Sequence, residues 1–288
     1  PDNSVGYLIK VKGLQGGHSG MDIIKGLANA NKIMARVLFD ANRDFGLRVS
    51  SINGGGLRNA IPRESEAIVV VDKSNTETFL TEIIQQVREI KAEFASLEPN
   101  MDIEISETEV PNKVMKVEDQ QEVIKAISAA HNGVYRMSPD IEGLVEASNN
   151  IASVKVGDGK VKINCLTRSS VESSKDDLAN SLEATFELAK FKVKLSGEYP
   201  GWAPNPNSAI LKVVDGLYQN LHNEKADVAA CHAGLECGII GNHYPEMDMI
   251  SFGPTIRGAH SPDERAGISS AQKYWKFLLE VLKNIPKK

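Results

Sequence analysis

The chain has 288 residues, 41% of them hydrophobic and 25% charged, with a formal net charge of −5. That composition fits a globular protein of one large or two medium domains. It carries no basic stripe for nucleic acid, no apolar run of the roughly 20 residues a membrane span needs, and no signal peptide, so neither partner is expected. Three cysteines are too few for a disulfide framework and fit a reducing, cytoplasmic setting.

The chain begins at Pro1 and enters a strand almost at once. That reads as a cut inside a larger protein, and a processed or engineered terminus leaves the same trace. Val5 to Val11 alternates as a strand. Gly13-Leu14-Gln15-Gly16-Gly17-His18-Ser19-Gly20 follows, with glycines that let His18 project from a tight turn. Met21 to Asp40 has helical periodicity, with Ser19 or Asp22 as its cap. By itself GGHSG also fits a backbone-bonded histidine or an anion-binding helix terminus.

Leu47 to Ile52 reads as a strand and Asn53-Gly54-Gly55-Gly56-Leu57-Arg58-Asn59-Ala60-Ile61-Pro62 as a loop. A phosphate cradle should open a helix, but Pro62 and the strand Ala67 to Val71 come next, so no nucleotide site is expected. Thr76 to Leu97 is a helix and Met101 to Ile105 a strand. Strand, helix, strand, strand, helix, strand is the ferredoxin-like arrangement.

The pattern recurs in part. Gln120 to Ala130 reads as a helix, Ile151 to Val156 and Val161 to Leu166 as a hairpin across Gly157-Asp158-Gly159, Asp176 to Ala189 as a helix and Phe191 to Leu195 as a strand. This predicts a degenerate duplication. Arg168 sits at a strand end, where a guanidinium can grip a carboxylate through two parallel hydrogen bonds, although a surface arginine is the ordinary alternative. The Pro- and Gly-rich Gly197 to Asn207 marks a domain boundary. Beyond it come a helix over Ser208 to Leu221, short buried strands over Val228 to Cys231 and Met247 to Phe252, and a closing helix over Ala266 to Asn284 whose Ile268, Trp275, Leu278, Leu279 and Leu282 face inward.

Two motifs lie in this last part: Cys231-His232-Ala233-Gly234-Leu235-Glu236-Cys237-Gly238, and Ser251-Phe252-Gly253-Pro254 followed by His260-Ser261-Pro262. His232 and Glu236 are four apart and would share a helical face, but Gly234 argues against a regular helix there. Cys231 and Cys237 lack a structural-zinc spacing and read as inert thiols. Together with GGHSG and GGxxxNAIP, these runs resemble the aminoacyl-histidine (Xaa-His) dipeptidases of the co-catalytic zinc peptidase family, which also holds carnosinases, aminoacylases and carboxypeptidase G.

The resemblance implies an α/β (α+β) fold. A lid of two ferredoxin-like βαββαβ-type units would span 1–199, divided near 110, and 200–288 would be the C-terminal segment of a zinc-peptidase α/β catalytic domain. It implies dipeptide hydrolysis in which His18 steadies the oxyanion, Asn59, Arg168 and Glu236 hold the substrate, and His260 is a ligand of a two-zinc site, with manganese or cobalt as substitutes. It also implies a homodimer through the lid. The family's HxD pair and adjacent glutamates do not occur here. The expectation is therefore an inactive C-terminal fragment whose partner is the missing N-terminal half of the catalytic domain. A non-catalytic peptide-binding or dimerisation module, or a related acyl-amino-acid or carboxypeptidase-type hydrolase, are the alternatives.

Overall fold

The structure is a computed structural model that describes residues 3–198, 200–205, 207–230, 235–257 and 264–285. The chain divides into two compact units, one running to Gly201 and a smaller one starting at Trp202. The larger unit is built on one antiparallel sheet of seven strands, with helices on one face. Its first half holds β1 (Ser4–Lys12), α1 (Ala30–Phe45), β3 (Arg48–Gly55), β5 (Ser65–Asp72), α2 (Thr76–Glu93) and β6 (Asp102–Thr108). The strands lie in the order β6-β1-β5-β3, the ferredoxin-like order. A two-residue ladder, β2 (Gly17–His18) with β4 (Ala60–Ile61), stands apart from the sheet.

The second half continues that sheet. α3 (Val117–Ala129), β7 (Gly133–Met137), β8 (Val145–Gly157), β9 (Lys160–Ser169) and α4 (Glu172–Leu188) follow in order. β9 pairs along one side of β8. Along the other side, β3 takes Ser153–Val156 and β7 takes Val145–Asn149, so the two strands abut end to end. The hairpin strands thus run well beyond the stretches that alternation marks, because both edges of β8 find partners. Phe191 to Leu195, expected as a strand, is irregular, and β7 instead adds the extra strand. One apolar core joins the sheet to all four helices, from Tyr7, Ile9 and Phe79 through Leu38 and Ile124 to Ile151 and Leu178.

The expected helix from Met21 breaks in two. Ile23–Lys25 is a single 3₁₀ turn ended by Gly26 at φ +68°. α1 starts afresh at Asn29, whose carboxamide oxygen accepts from the N–H groups of Asn31 (2.9 Å) and Lys32 (3.3 Å). Lys32 is drawn down onto the end of α3, donating to the carbonyls of Ile127, Ser128 and Ala130. Those are helix C-terminal acceptors that would otherwise lack partners, and burial holds the Lys32 ammonium below the usual lysine range.

The smaller unit has α5 (Ala209–His222), α6 (Glu236–His243), α7 (Ile268–Lys283) and a short pair, β10 (Ile256–Arg257) with β11 (Arg265–Ala266). Val214, Phe277 and Val281 are its buried core. Met247 to Phe252 and Val228 to Ala230 are not strands, and Cys231 lies outside the described residues. No described strand runs beside them, and an unpaired strand leaves its backbone groups unsatisfied. On α7, Ile268, Trp275, Leu279 and Leu282 are exposed rather than inward. Phe277 and Val281 take the core instead, because α5 packs on that face.

The segment between β1 and α1 is pinned at both ends by one carboxylate. Glu98, 2% exposed, accepts from Gln15 N–H (2.8 Å) and Ala28 N–H (3.0 Å). The chain between those two anchors carries His18. A carboxamide in place of Glu98 keeps one acceptor and turns a donor against a donor. Glu98→Gln is expected to lower unfolding free energy by about 2 kcal/mol in urea denaturation, the scale of hydrogen bonds to a buried charge. An unchanged midpoint would show that this clamp carries no stability.

Candidate active-site face of the larger unit

The site begins where the β2–β4 ladder holds two loops together. Gly17 pairs with Ile61 and His18 with Ala60, and Ser19 N–H donates to the Asn59 carbonyl at 2.8 Å. His18 and Asn59, 41 positions apart, therefore sit on one small ladder. The glycines before His18 are required. Gly16 has φ +63°, and a Cβ there would collide with Arg63. Gly17 has φ +156°, and a Cβ there would lie 2.7 Å from the Asp22 carboxylate.

Asp22 occupies that space to bind the His18 backbone. Its Oδ2 accepts from His18 N–H at 2.7 Å, and its Oδ1 pairs with Lys25 Nζ at 2.6 Å. Burial works to raise the Asp22 carboxyl, but the Lys25 ammonium and the His18 N–H together hold it below the usual carboxylate range. The imidazole is oriented as well. His18 Nδ1 accepts from Gly20 N–H (3.2 Å) and Met21 N–H (3.1 Å), so in the neutral ring the proton is on Nε2. A ring fixed this way presents a donor.

Arg168 reaches the same place from β9. It stands opposite Ser148 of β8, and opposite residues share a face. Ala147 and Ile151 point into the core, so Ser148, Asn150 and Arg168 lie on the helix-free face. Gly20 joins the two sides: a Cβ there would lie 3.1 Å from His18 Cε1 and 3.4 Å from Arg168 Cδ. His18, the Asn59 turn and Arg168 thus converge from three distant stretches of sequence. Beside them on β8, Glu146 is buried and pairs with Arg136 at 3.2 Å.

The other sequence-level candidates fall elsewhere. Glu236 is exposed in the first turn of α6, in the smaller unit, and its helix starts just past Gly234. His260 and His232 lie outside the described residues. Among the described residues no three His, Cys, Asp or Glu side chains form a metal-holding group. Burial and the Glu236 carboxylate raise the Cys237 thiol above its usual range. Burial pushes the Cys165 thiol up to about 11. Two residues that shape the site, Glu98 and Asn150, were not assigned chemistry from the sequence. In the sequence Asn150 only ends the run Glu146 to Asn150, just ahead of the strand expected from Ile151.

Residues 9–97 match the model of the peptidase dimerisation domain of the M20 type. Over 284 residues the chain is 41% identical to a cytosol non-specific dipeptidase of Escherichia coli (strain K12), covering 98% of this chain and 58% of that protein. It also superposes on an aminoacylhistidine dipeptidase from Vibrio alginolyticus with a TM-score of 0.90 and 37% identity, over 100% of this chain and 59% of that one. Along its length the chain is similar to peptidases of the M20 type. It spans about three-fifths of the length of these two relatives.

The Asp22 contact makes a pH test of the turn. A carboxyl lowered on folding stabilises the protein above its unfolded value, 3.8, and that contribution is lost as pH falls through the folded value below it. Asp22→Asn is therefore expected to lower the urea midpoint near neutral pH, with the gap to the original closing below pH 3.8. A gap that persists unchanged into strong acid would assign the effect to something other than the carboxylate.

Proposed function

We propose that this chain serves the hydrolysis of dipeptides, those ending in histidine among them. The observation that carries the reading is the meeting of His18 and Arg168 at Gly20, with Nδ1 of His18 taken by the Gly20 and Met21 N–H groups so that Nε2 carries the proton of the neutral ring. A dipeptide offers a carbonyl that becomes an oxyanion and a C-terminal carboxylate. Nε2–H of His18 would steady the first and Arg168 would grip the second. Asn59 would hold the polar backbone between them. Neutral His18 suffices for the donor role, and no proton needs to leave it.

The family resemblance implies two zinc ions, with manganese or cobalt as substitutes, and assigns one ligand to His260. Among the described residues no three His, Cys, Asp or Glu side chains gather to hold such an ion. The reading places 1–199 as the lid and 200–288 as part of a catalytic domain that other residues complete. It also places a second copy of the chain against the groove between α2 and the β6 edge, lined by Leu80, Ile84 and Ile105. The β6 edge has no described strand on its outer side. The working location is the cytoplasm, in keeping with the reducing setting read from the cysteines.

Ala-His and other dipeptides supplied to this chain alone are expected to remain uncut, with or without zinc, whereas the polypeptide as the cell makes it should cut them. In that active protein, His18→Ala should lower kcat by about a hundredfold or more with little change in KM. Arg168→Lys should raise KM roughly tenfold, because the paired hydrogen bonds are lost while the charge stays. Full activity in either variant would remove that residue from the mechanism, and peptide binding without cleavage in every form would assign a binding module instead. For the second copy, Ile84→Glu should shift the sedimentation mass from dimer to monomer; a mass unmoved by it would place the contact elsewhere.

A further inference from the structure

We infer that Asn150 is the positioning residue that holds His18 and the Asn59 turn as one body. Asn150 lies on β8, 1% exposed. Its Nδ2 donates to the Arg58 carbonyl (3.2 Å) and the Ala60 carbonyl (2.8 Å), the two residues on either side of Asn59. Its Oδ1 accepts from Asn29 Nδ2 at 3.2 Å, so the carboxamide orientation is fixed on both sides. The NH₂ group faces both carbonyls with its two donors. Neither carboxylate nor hydroxyl supplies both donors.

The consequence runs through the ladder. Ala60 pairs with His18, and the Asn59 carbonyl takes the Ser19 N–H. One buried amide on the sheet therefore fixes the height of the turn, and the turn fixes the backbone of His18. Arg168 comes from the neighbouring strand of the same sheet, two residues of β8 away from Asn150. Asn150 thereby sets the distance between the proposed oxyanion donor and the proposed carboxylate grip without touching either ligand group. That last step rests on the function proposed above; the positioning itself does not.

The test uses nuclear magnetic resonance on this chain at neutral pH, with two readouts: the ring-nitrogen shifts of His18 and the exchange rate of the Ser19 amide. In the original chain His18 should show one Nε2–H tautomer, and Ser19 should be protected. Asn150→Ala and Asn150→Asp should each mix the tautomers and speed Ser19 exchange by about tenfold or more. If the buried carboxylate prevents folding, Asn150→Ala alone decides. The control is Asn31→Ala, which removes a neighbouring buried amide bonded to Ile151 O (3.1 Å) but not to the turn. It should leave both readouts in place. Unchanged readouts in Asn150→Ala, or equal changes in Asn31→Ala, would overturn the positioning role. In the active protein, Asn150→Ala should cost up to about a hundredfold in kcat with a smaller change in KM. Altered readouts with unaltered turnover would leave the positioning intact and sink the proposed role of His18.

Discussion

The two halves of the larger unit meet at one break in its sheet, and the way that break is closed joins them. β3 and β7 meet end to end along β8, and neither reaches Ile151. The N–H and C=O of Ile151 are buried there, where an unpaired group costs about 1–3 kcal/mol. Three asparagines replace the missing strand. Asn132 Oδ1 accepts from Ile151 N–H at 2.9 Å, and Asn29 and Asn31 each donate to its carbonyl at 3.1 Å. Asn29 also donates to Asn132 at 2.9 Å, so the set is closed on itself. A carboxamide suits this gap because it carries a donor and an acceptor on one short stem.

The same network ties structure to site. Asn29 is both the cap of α1 and a partner of Asn150, so the start of the helix, the gap in the sheet and the Asn59 turn share one set of hydrogen bonds. The glycines around it follow from that crowding. A Cβ on Gly54 would collide with Asn31, and one on Gly55, at φ +62°, with the Ala152 carbonyl. The triple glycine that resembles a phosphate cradle in sequence thus has a packing origin: two of its members let β3 approach β8 beside the asparagines. The ferredoxin-like first half and the half from α3 to α4 become one sheet at this seam, and the candidate site sits next to it.

The smaller unit is organised differently. Among the described residues its buried core is three apolar side chains, and much of the apolar surface of α7 is exposed. At one end Lys273 bonds Tyr218 at 2.6 Å and pairs with Glu224, which lowers the Glu224 carboxyl. Phe277, Tyr218 and His222 meet beside that polar cluster in tilted and edge-on ring contacts. Surface ion pairs of this kind add little to stability, and the aromatic contacts carry more.

By itself the sequence determined the elements whose signal is local. The alternation of β1, β5 and β6, the apolar stripes of α2, α3 and α4, and the glycines around His18 all follow from rules that act within a few residues, so they were legible. So was the family resemblance, because its motifs are contiguous. Tertiary structure alone decided the rest. Nothing near Phe191 says that it will stay out of the sheet while Gly133 to Met137 joins it, since strand pairing depends on which edge is open. Nothing near Met21 says that the helix will restart at Asn29, since that cap is fixed by bonds to Asn132 and Asn150, more than 100 residues away. The role of Asn150 and Glu98 was hidden for the same reason. A buried polar side chain takes its meaning from its partners, and those partners are brought to it only by the folded chain.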